Sequence, residues 1–369
     1  MKMKKHLLAL GVAMGLAAAI SGCAQLGYYA QAVEGQLSLL SEARPIDEWL
    51  ANPGTEAKLR DRLTKVKEIR HFAANELGLP DNESYKSYAD LKRPYVLWNV
   101  VATPALSLKP LNWCFPIAGC VNYRGYYSKR EAQGFADELR AQGYDVQVSG
   151  VPAYSTLGWF NDPVLSTFIQ YPDAELARLV FHELAHQVAY AKDDSRFNES
   201  FAVTVEEAGV ERWMEKYGDE RMRKLFADYT ARKKDFLALL GKYRQQLLVN
   251  YASDASDADK KQRKADIFQA LKDEYQVIKA ERWHGYAGYD RWFADPLTNA
   301  HLSTISTYHD LVPRFRAMLK KEKDLPRFYK AVQELASLDK TNRYQQLAKL
   351  GDAPEAAAIA SSETGIVGQ

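Results

Sequence analysis

Within LVFHELAHQVAY, residues 179–190, three side chains can do chemistry together: His182, Glu183 and His186. Positions four apart on an α-helix share a face, so both imidazoles can be aimed at one ion. Glu183 stands about 100° round the helix axis, beside such an ion rather than on it. A carboxylate in that place can take a proton from an activated water. This spacing, H-E-x-x-H, is the one used in zinc-dependent peptide hydrolysis. The competing reading is a helix whose histidines merely pack or face solvent.

A catalytic zinc takes three protein ligands and keeps a fourth position for water, so one more ligand is required. The next amphipathic stretch, RFNESFAVTVEEAGVERWMEKYG, reads as a helix opening near Asn198. Its first acidic residue, Glu199, comes thirteen positions after His186, enough for a turn through KDDSR and a helix returning alongside. The expected set is therefore His182, His186 and Glu199 around one zinc ion per chain. Glu206, Glu207 and Glu211 are alternatives further along. One of these, or Asp193, is a candidate to hold the second N–H of a ligating histidine.

The elements that must carry these residues follow from texture. Residues 25–90 read as helical, with EAKLRDRLTKVKEIRHFAANELG ended by Gly78 and Pro80. Residues 94–171 are rich in β-branched and aromatic residues, in PYVLWNVVATP, YRGYYS and YDVQVSGVPAYST. A helical KREAQGFADELRAQG lies between the last two. From 172 to 350 the pattern is helical again, and its charge runs read as solvated faces. Residues 351–369, small and polar, read as a disordered tail. The expected class is α+β, a small twisted sheet followed by helices, with residues 23–350 forming one domain.

The N-terminus suggests where the protein works. Lys2, Lys4 and Lys5 precede an apolar run, Leu7–Ile20, that is too short to span a bilayer stably. Ile20-Ser21-Gly22-Cys23 then resembles the lipobox of bacterial lipoproteins. On that reading residues 1–22 are a signal peptide and Cys23 carries lipid. Ala24 in place of an aspartate points to the periplasmic face of the outer membrane. The rival is an ordinary secretory signal cleaved further on. The 49 Lys and Arg nearly balance the 47 Asp and Glu, and loss of the leader leaves 46 against 47. So balanced a surface offers no footprint for nucleic acid. Cys114 and Cys120 remain, an even pair in an exported chain, which favours a disulfide over a metal site that would lack nearby histidines. Oligomeric state is not legible.

CFPIAGCVNYRGYY, GWFNDPVLSTF, HELAHQ, FNESFA and TYHDLVPRF, in this order behind a lipobox, resemble the predicted aminopeptidase family of bacterial lipoproteins. The resemblance implies a zincin-like, gluzincin-type metallopeptidase acting on peptides. It implies His182, His186 and Glu199 as zinc ligands and Glu183 as the catalytic base. In related peptidases a distant Tyr or His steadies the oxyanion, and HLSTISTYHDLVPRF offers Tyr308 first, then His309, with His301 nearby. Upstream, Gly158 would let a substrate strand approach closely, and Asp162 would pair with a substrate α-amine or merely cap a turn at NDP. Arg124 would meet a substrate carbonyl or carboxylate, or form a structural ion pair.

Overall fold

The computed structural model describes residues 27–115 and 119–350, with backbone alone at 304–308. Cys23 and the tail 351–369 lie outside the described residues. The chain opens with helix α1, described over 27–42, then β1 (Arg44–Pro45), α2 (Ile46–Ala51) and α3 (Ala57–Asn75). Five strands and one helix follow: β2 (Ser87–Ala89), β3 (Leu97–Pro104), β4 (Trp113–Phe115), β5 (Gly119–Val121), β6 (Arg124–Tyr126) and α4 (Lys129–Ala141). Next come β7 (Tyr144–Val151) and β8 (Val164–Leu165), and after them the chain is helical. Those helices are α5 (Asp173–Val188), α6 (Ser195–Tyr217), α7 (Glu220–Ala252), α8 (Asp257–Val277), α9 (Asp290–Phe293), α10 (Asn299–His309), α11 (Val312–Glu322), α12 (Leu325–Ser337) and α13 (Lys340–Ala348). A single π turn, Ile278–Arg282, extends α8. The class is α+β, as expected. No described helix is long and apolar enough to cross a membrane.

Instead of one twisted sheet there are three small ones. β3 lies between β6 and β7, antiparallel to both, and pairs with β7 from Leu97↔Val151 to Pro104↔Tyr144. β2 joins β1 to β8, so the helical reading of residues 25–90 is corrected beyond Asn75. Strands of two or three residues are too short to show a period of two, which is why they were invisible as pattern. β4 and β5 form a hairpin with Cys114 directly opposite Cys120, and the two are bonded as a disulfide.

α5 is apolar almost all round, with Leu176, Ala177, Val180, Phe181, Leu184 and Ala185 fully buried. A helix with so little polar surface must sit inside. Each such leucine or phenylalanine contributes about 1.5–3 kcal/mol through removal from water. Its N-terminus is held by Arg62, which pairs with Asp173 at 2.5 Å and donates to the carbonyls of Ile169 and Tyr171 at 2.8 and 2.6 Å. Asp173 in the first turn also complements the helix dipole.

α6 returns antiparallel along α5 after a six-residue loop, and Gly209 allows the approach. A Cβ at 209 would lie 2.8 Å from both the Leu77 and Phe181 side chains. Gly209→Val is therefore expected to cost about 1–3 kcal/mol by overpacking, read as a lower urea midpoint. Gly134→Ala, in α4 where a Cβ meets nothing within 4 Å, should instead stabilise by roughly 0.5–1 kcal/mol. Equal midpoints for Gly209→Val and wild type would show that α5 and α6 are not packed this closely.

Candidate metal centre

The loop between α5 and α6 places the third member of the cluster. Asp194 caps α6, accepting from Phe197 N at 3.2 Å, so the helix starts at Ser195, three residues before the expected opening. The same carboxylate is locked by Arg343 at 2.6 Å and by the Tyr344 hydroxyl at 3.0 Å. Asn198 ties the loop to the helix: its side chain donates to Ala191 O at 2.9 Å and accepts from Ala191 N at 2.7 Å. Glu199, the next residue, is thereby turned onto the histidine face of α5.

His182 Nε2 lies 3.2 Å and His186 Nε2 3.7 Å from the same oxygen, Glu199 Oε2. Across the cluster, one ligand atom from each of the three residues falls within 4.8 Å of the others. Bonds of about 2.0–2.2 Å to a tetrahedral zinc put neighbouring ligand atoms about 3.3–3.5 Å apart, so the set fits that ion. Two imidazoles and a carboxylate are also a suitable donor set for it. Glu206, two turns beyond Glu199, accepts from His182 Nδ1 at 2.8 Å and holds the ring with its other nitrogen toward Glu199. Arg178 meets both oxygens of Glu206 at 3.1 Å, and the Lys233 amine lies 3.6 Å away. His186 Nδ1 is buried without a partner among the described residues.

The electrostatics favour a positive charge at this point. Burial opposes a charge on His182, but its bonds to Glu199 and Glu206 win and push its pKa up to about 10. Burial raises the Glu199 carboxyl, yet His186 and His182 draw it down to about 2. Glu206 is held below the ordinary carboxylate range against its own burial, chiefly by Arg178 and His182. Glu183 is different. It is buried, and desolvation raises its pKa despite the flanking histidines, which suits a group that must take up a proton.

The other expected residues are distributed unevenly round this centre. Asp162 is 4% exposed and accepts from Thr156 N at 2.8 Å. Burial, with Glu183 contributing, pushes its pKa up to about 6. Gly158 has φ +81°, the backbone state that favours glycine. A Cβ there would stand at ordinary contact distance, 3.8 Å, from Gln187, so within the chain itself it is the backbone conformation that calls for glycine. Arg124 on β6 points its guanidinium at the rings of Tyr28 and Phe135, at 4.0 and 4.7 Å, a stacking role instead of the expected ion pair. His309 stands among Lys233, Glu206 and His182, and burial lowers its pKa to about 4, leaving it neutral. His301 accepts from Thr298 N at 3.1 Å at the start of α10. The side chain of Tyr308 lies outside the described residues. Glu207 pairs with Arg316 at 2.6 Å, Glu211 lines a groove of about 640 Å³ between α6 and α7, and Asp193 accepts from Cys120 N at 2.5 Å.

That last bond brings in a residue the sequence reading passed over. Asp193, at φ +62°, staples the disulfide hairpin to the loop after α5, and Gly119 has no room for a Cβ beside it. The turn that follows carries Tyr123. The residue is 37% exposed, and its hydroxyl pKa is raised by burial, with the Glu199 and Glu183 charges adding to the shift. Tyr85 was missed too. Fully buried at φ +63°, it has a hydroxyl without a partner among the described residues and is influenced by Glu183 and Asp162. A bulky residue in that backbone region is strained, and strain of this sort collects at functional sites. Trp159 and Phe160, exposed at 67% and 45%, lie in the same loop as Gly158.

No curated protein and no solved structure matches the chain. A family model described as "Putative aminopeptidase" matches residues 27–347, nearly all of what is described above, and the chain belongs to that family.

Proposed function

We propose that the protein is a zinc-dependent, zincin-like aminopeptidase of the bacterial envelope, held to the membrane through lipid on Cys23 and acting on the N-termini of peptides. The observation that carries this reading is the convergence of His182 Nε2, His186 Nε2 and Glu199 Oε2, with Glu183 on the adjoining face of the same helix. A structural zinc site would have no use for a buried Glu183 with a raised pKa, which counts against a non-catalytic scaffold.

Zinc at the three ligands supplies Lewis acidity toward a water and the scissile carbonyl. Glu183 takes the proton of the attacking water and returns it to the departing amine. The Tyr123 hydroxyl, which burial keeps protonated and whose pKa the Glu199 and Glu183 charges raise further, donates to the oxygen that gains charge. Glu206 keeps the His182 ring oriented and its Nδ1 proton in place. Asp162, whose charge acts on the Tyr85 hydroxyl, meets the substrate α-ammonium. That contact distinguishes an aminopeptidase from an endopeptidase. Trp159 and Phe160 offer apolar surface to the side chains that follow.

Glu183→Gln is expected to retain one zinc per chain and lose about 10²–10⁴-fold in kcat, since it removes a base and no ligand. Glu199→Ala should lose both metal and turnover. Tyr123→Phe should lower kcat by about 10²–10³-fold with zinc content unchanged. Full activity in Glu183→Gln would sink the mechanism. Full zinc and activity in Glu199→Ala would move the third ligand elsewhere.

Glu206→Gln is expected to weaken zinc binding by about 10–100-fold without abolishing it, measured by competition with a chelating dye. Unchanged affinity would mean that His182 needs no partner at Nδ1.

Asp162→Asn should erase the preference for a free over an acetylated N-terminus. The folded pKa of Asp162, about 6, is above the unfolded value of about 3.9. Its stabilising contribution is therefore complete below pH about 3.9 and is lost as pH rises through about 6. Asp162→Asn should accordingly unfold at a higher temperature than wild type at pH 8, with the difference shrinking toward pH 4. A lower midpoint at pH 8 together with an intact preference would remove Asp162 from the site.

A further inference from the structure

Helix α1 has two faces, and only one is accounted for by the fold. On the inner face the Tyr28 ring stacks on the Arg124 guanidinium and packs against Phe115 and Tyr126. Gln31 accepts from Tyr127 N at 3.1 Å. Gln36 accepts from the hydroxyls of Tyr127 and Tyr154, and Leu39 is buried in the main core. Gly35 lies against the Tyr127 ring so closely that a Cβ would run into it. These contacts fix the rotation of the helix about its own axis.

The outer face is consequently committed to whatever lies outside. It shows Tyr29, Val33 and Leu37, exposed at 39%, 58% and 58% and spaced four residues apart in one stripe. Ala30, Ser38 and Ser41 continue the surface, and Glu34 is its one charge. Residues 27–43 contain no lysine or arginine. Isolated exposed apolar residues need no explanation, but an aligned set on a helix that cannot turn inward calls for a partner.

We propose that the Tyr29–Val33–Leu37 stripe lies in the interface of the bilayer that carries the Cys23 lipid. This rests on the lipid-anchor reading and extends it. Gly27 is four residue steps after Cys23, a reach of at most about 14 Å. The stripe itself is about 12 Å long. A chain so short cannot hold α1 clear of the headgroup layer, so the nearest apolar surface to the stripe is lipid. With no basic residue on the helix the contact is apolar, and it does not require anionic lipid. The same helix grips residues 125–127, just past Tyr123, so the rim of the site stands about one helix diameter, roughly 10 Å, from the membrane.

The test uses the full, lipidated protein in vesicles. Single cysteines replacing Val33, Leu37 or, as a control, the exposed Val249 of α7 are labelled with an environment-sensitive fluorophore. Cys114 and Cys120 are disulfide-bonded and do not compete. Labels at 33 and 37 should shift to shorter wavelength and be quenched several-fold by lipids bearing a nitroxide near the headgroup. The effect should be equal in phosphatidylcholine and in phosphatidylglycerol-containing vesicles, and absent at 249. If the protein floats with the vesicles but labels at 33 and 37 behave like that at 249, the stripe proposal is overturned and the anchor stands. If wild type does not float at all, the anchor reading fails and takes the proposal with it. Concentration-dependent cross-linking between unlabelled Val33→Cys chains in detergent would assign the stripe to a second copy instead. The double variant Val33→Asp, Leu37→Asp should lose the quenching seen at a label on residue 29 while hydrolysing a soluble peptide as wild type does.

Discussion

The packing of α6 back along α5 is the contact on which the cluster depends, because its three groups come from two helices and no single element could present them. His182 and His186 share a face of α5 by helical geometry alone, whereas Glu199 joins them only if the chain reverses within six residues and returns in close register. Gly209 sets how near the second helix can come, and the Asp194–Arg343 pair with the Asn198 bridge sets where it begins. A residue more or less in that loop would rotate Glu199 by about 100° off the histidines.

Burying so many ionisable groups is costly, and the arrangement shows how that cost is offset. Glu206 has Arg178, Lys233 and His182 around it, and Glu199 has two imidazoles, so these two buried carboxylates are matched by positive or donating groups. Glu183, Asp162 and Tyr85 are not matched in this way. Glu183 and Asp162 have raised pKa values, Asp162 despite the bond from Thr156 N, and the Tyr85 hydroxyl has no partner among the described residues. Ionisable groups whose pKa values are displaced by burial beside a candidate metal centre are the ones proposed to meet a substrate.

The legibility of the site in the sequence followed the range of the interactions involved. His182, Glu183 and His186 were readable because one helical turn relates them, and Glu199 because loop length bounds where a returning helix can place a carboxylate. Glu206 was on view as a candidate, seven residues further along the same face, but its bond to His182 depends on how α6 is rotated. Tyr123 and Tyr85 were not readable, since the first is positioned by a hairpin stapled by Asp193 and the second by a loop bond from Tyr85 N to Asp162 O. The earlier start of α6 was available in principle, because Asp194 is a good N-cap, and was missed in favour of the amphipathic pattern. The short strands β1, β2 and β8 carry no periodic signal of their own and exist because tertiary packing brings them together.

A single metal ion held between α5 and α6 can be located by anomalous diffraction at the zinc edge from crystals grown with zinc. A single strong peak per chain is expected within about 2.0–2.2 Å of His182 Nε2, His186 Nε2 and a Glu199 carboxylate oxygen. The Glu206 bond to His182 Nδ1 should be kept. A peak at other residues, or no peak in crystals that hold the protein folded with His182 still bonded to Glu199, would contradict this placement of the ion.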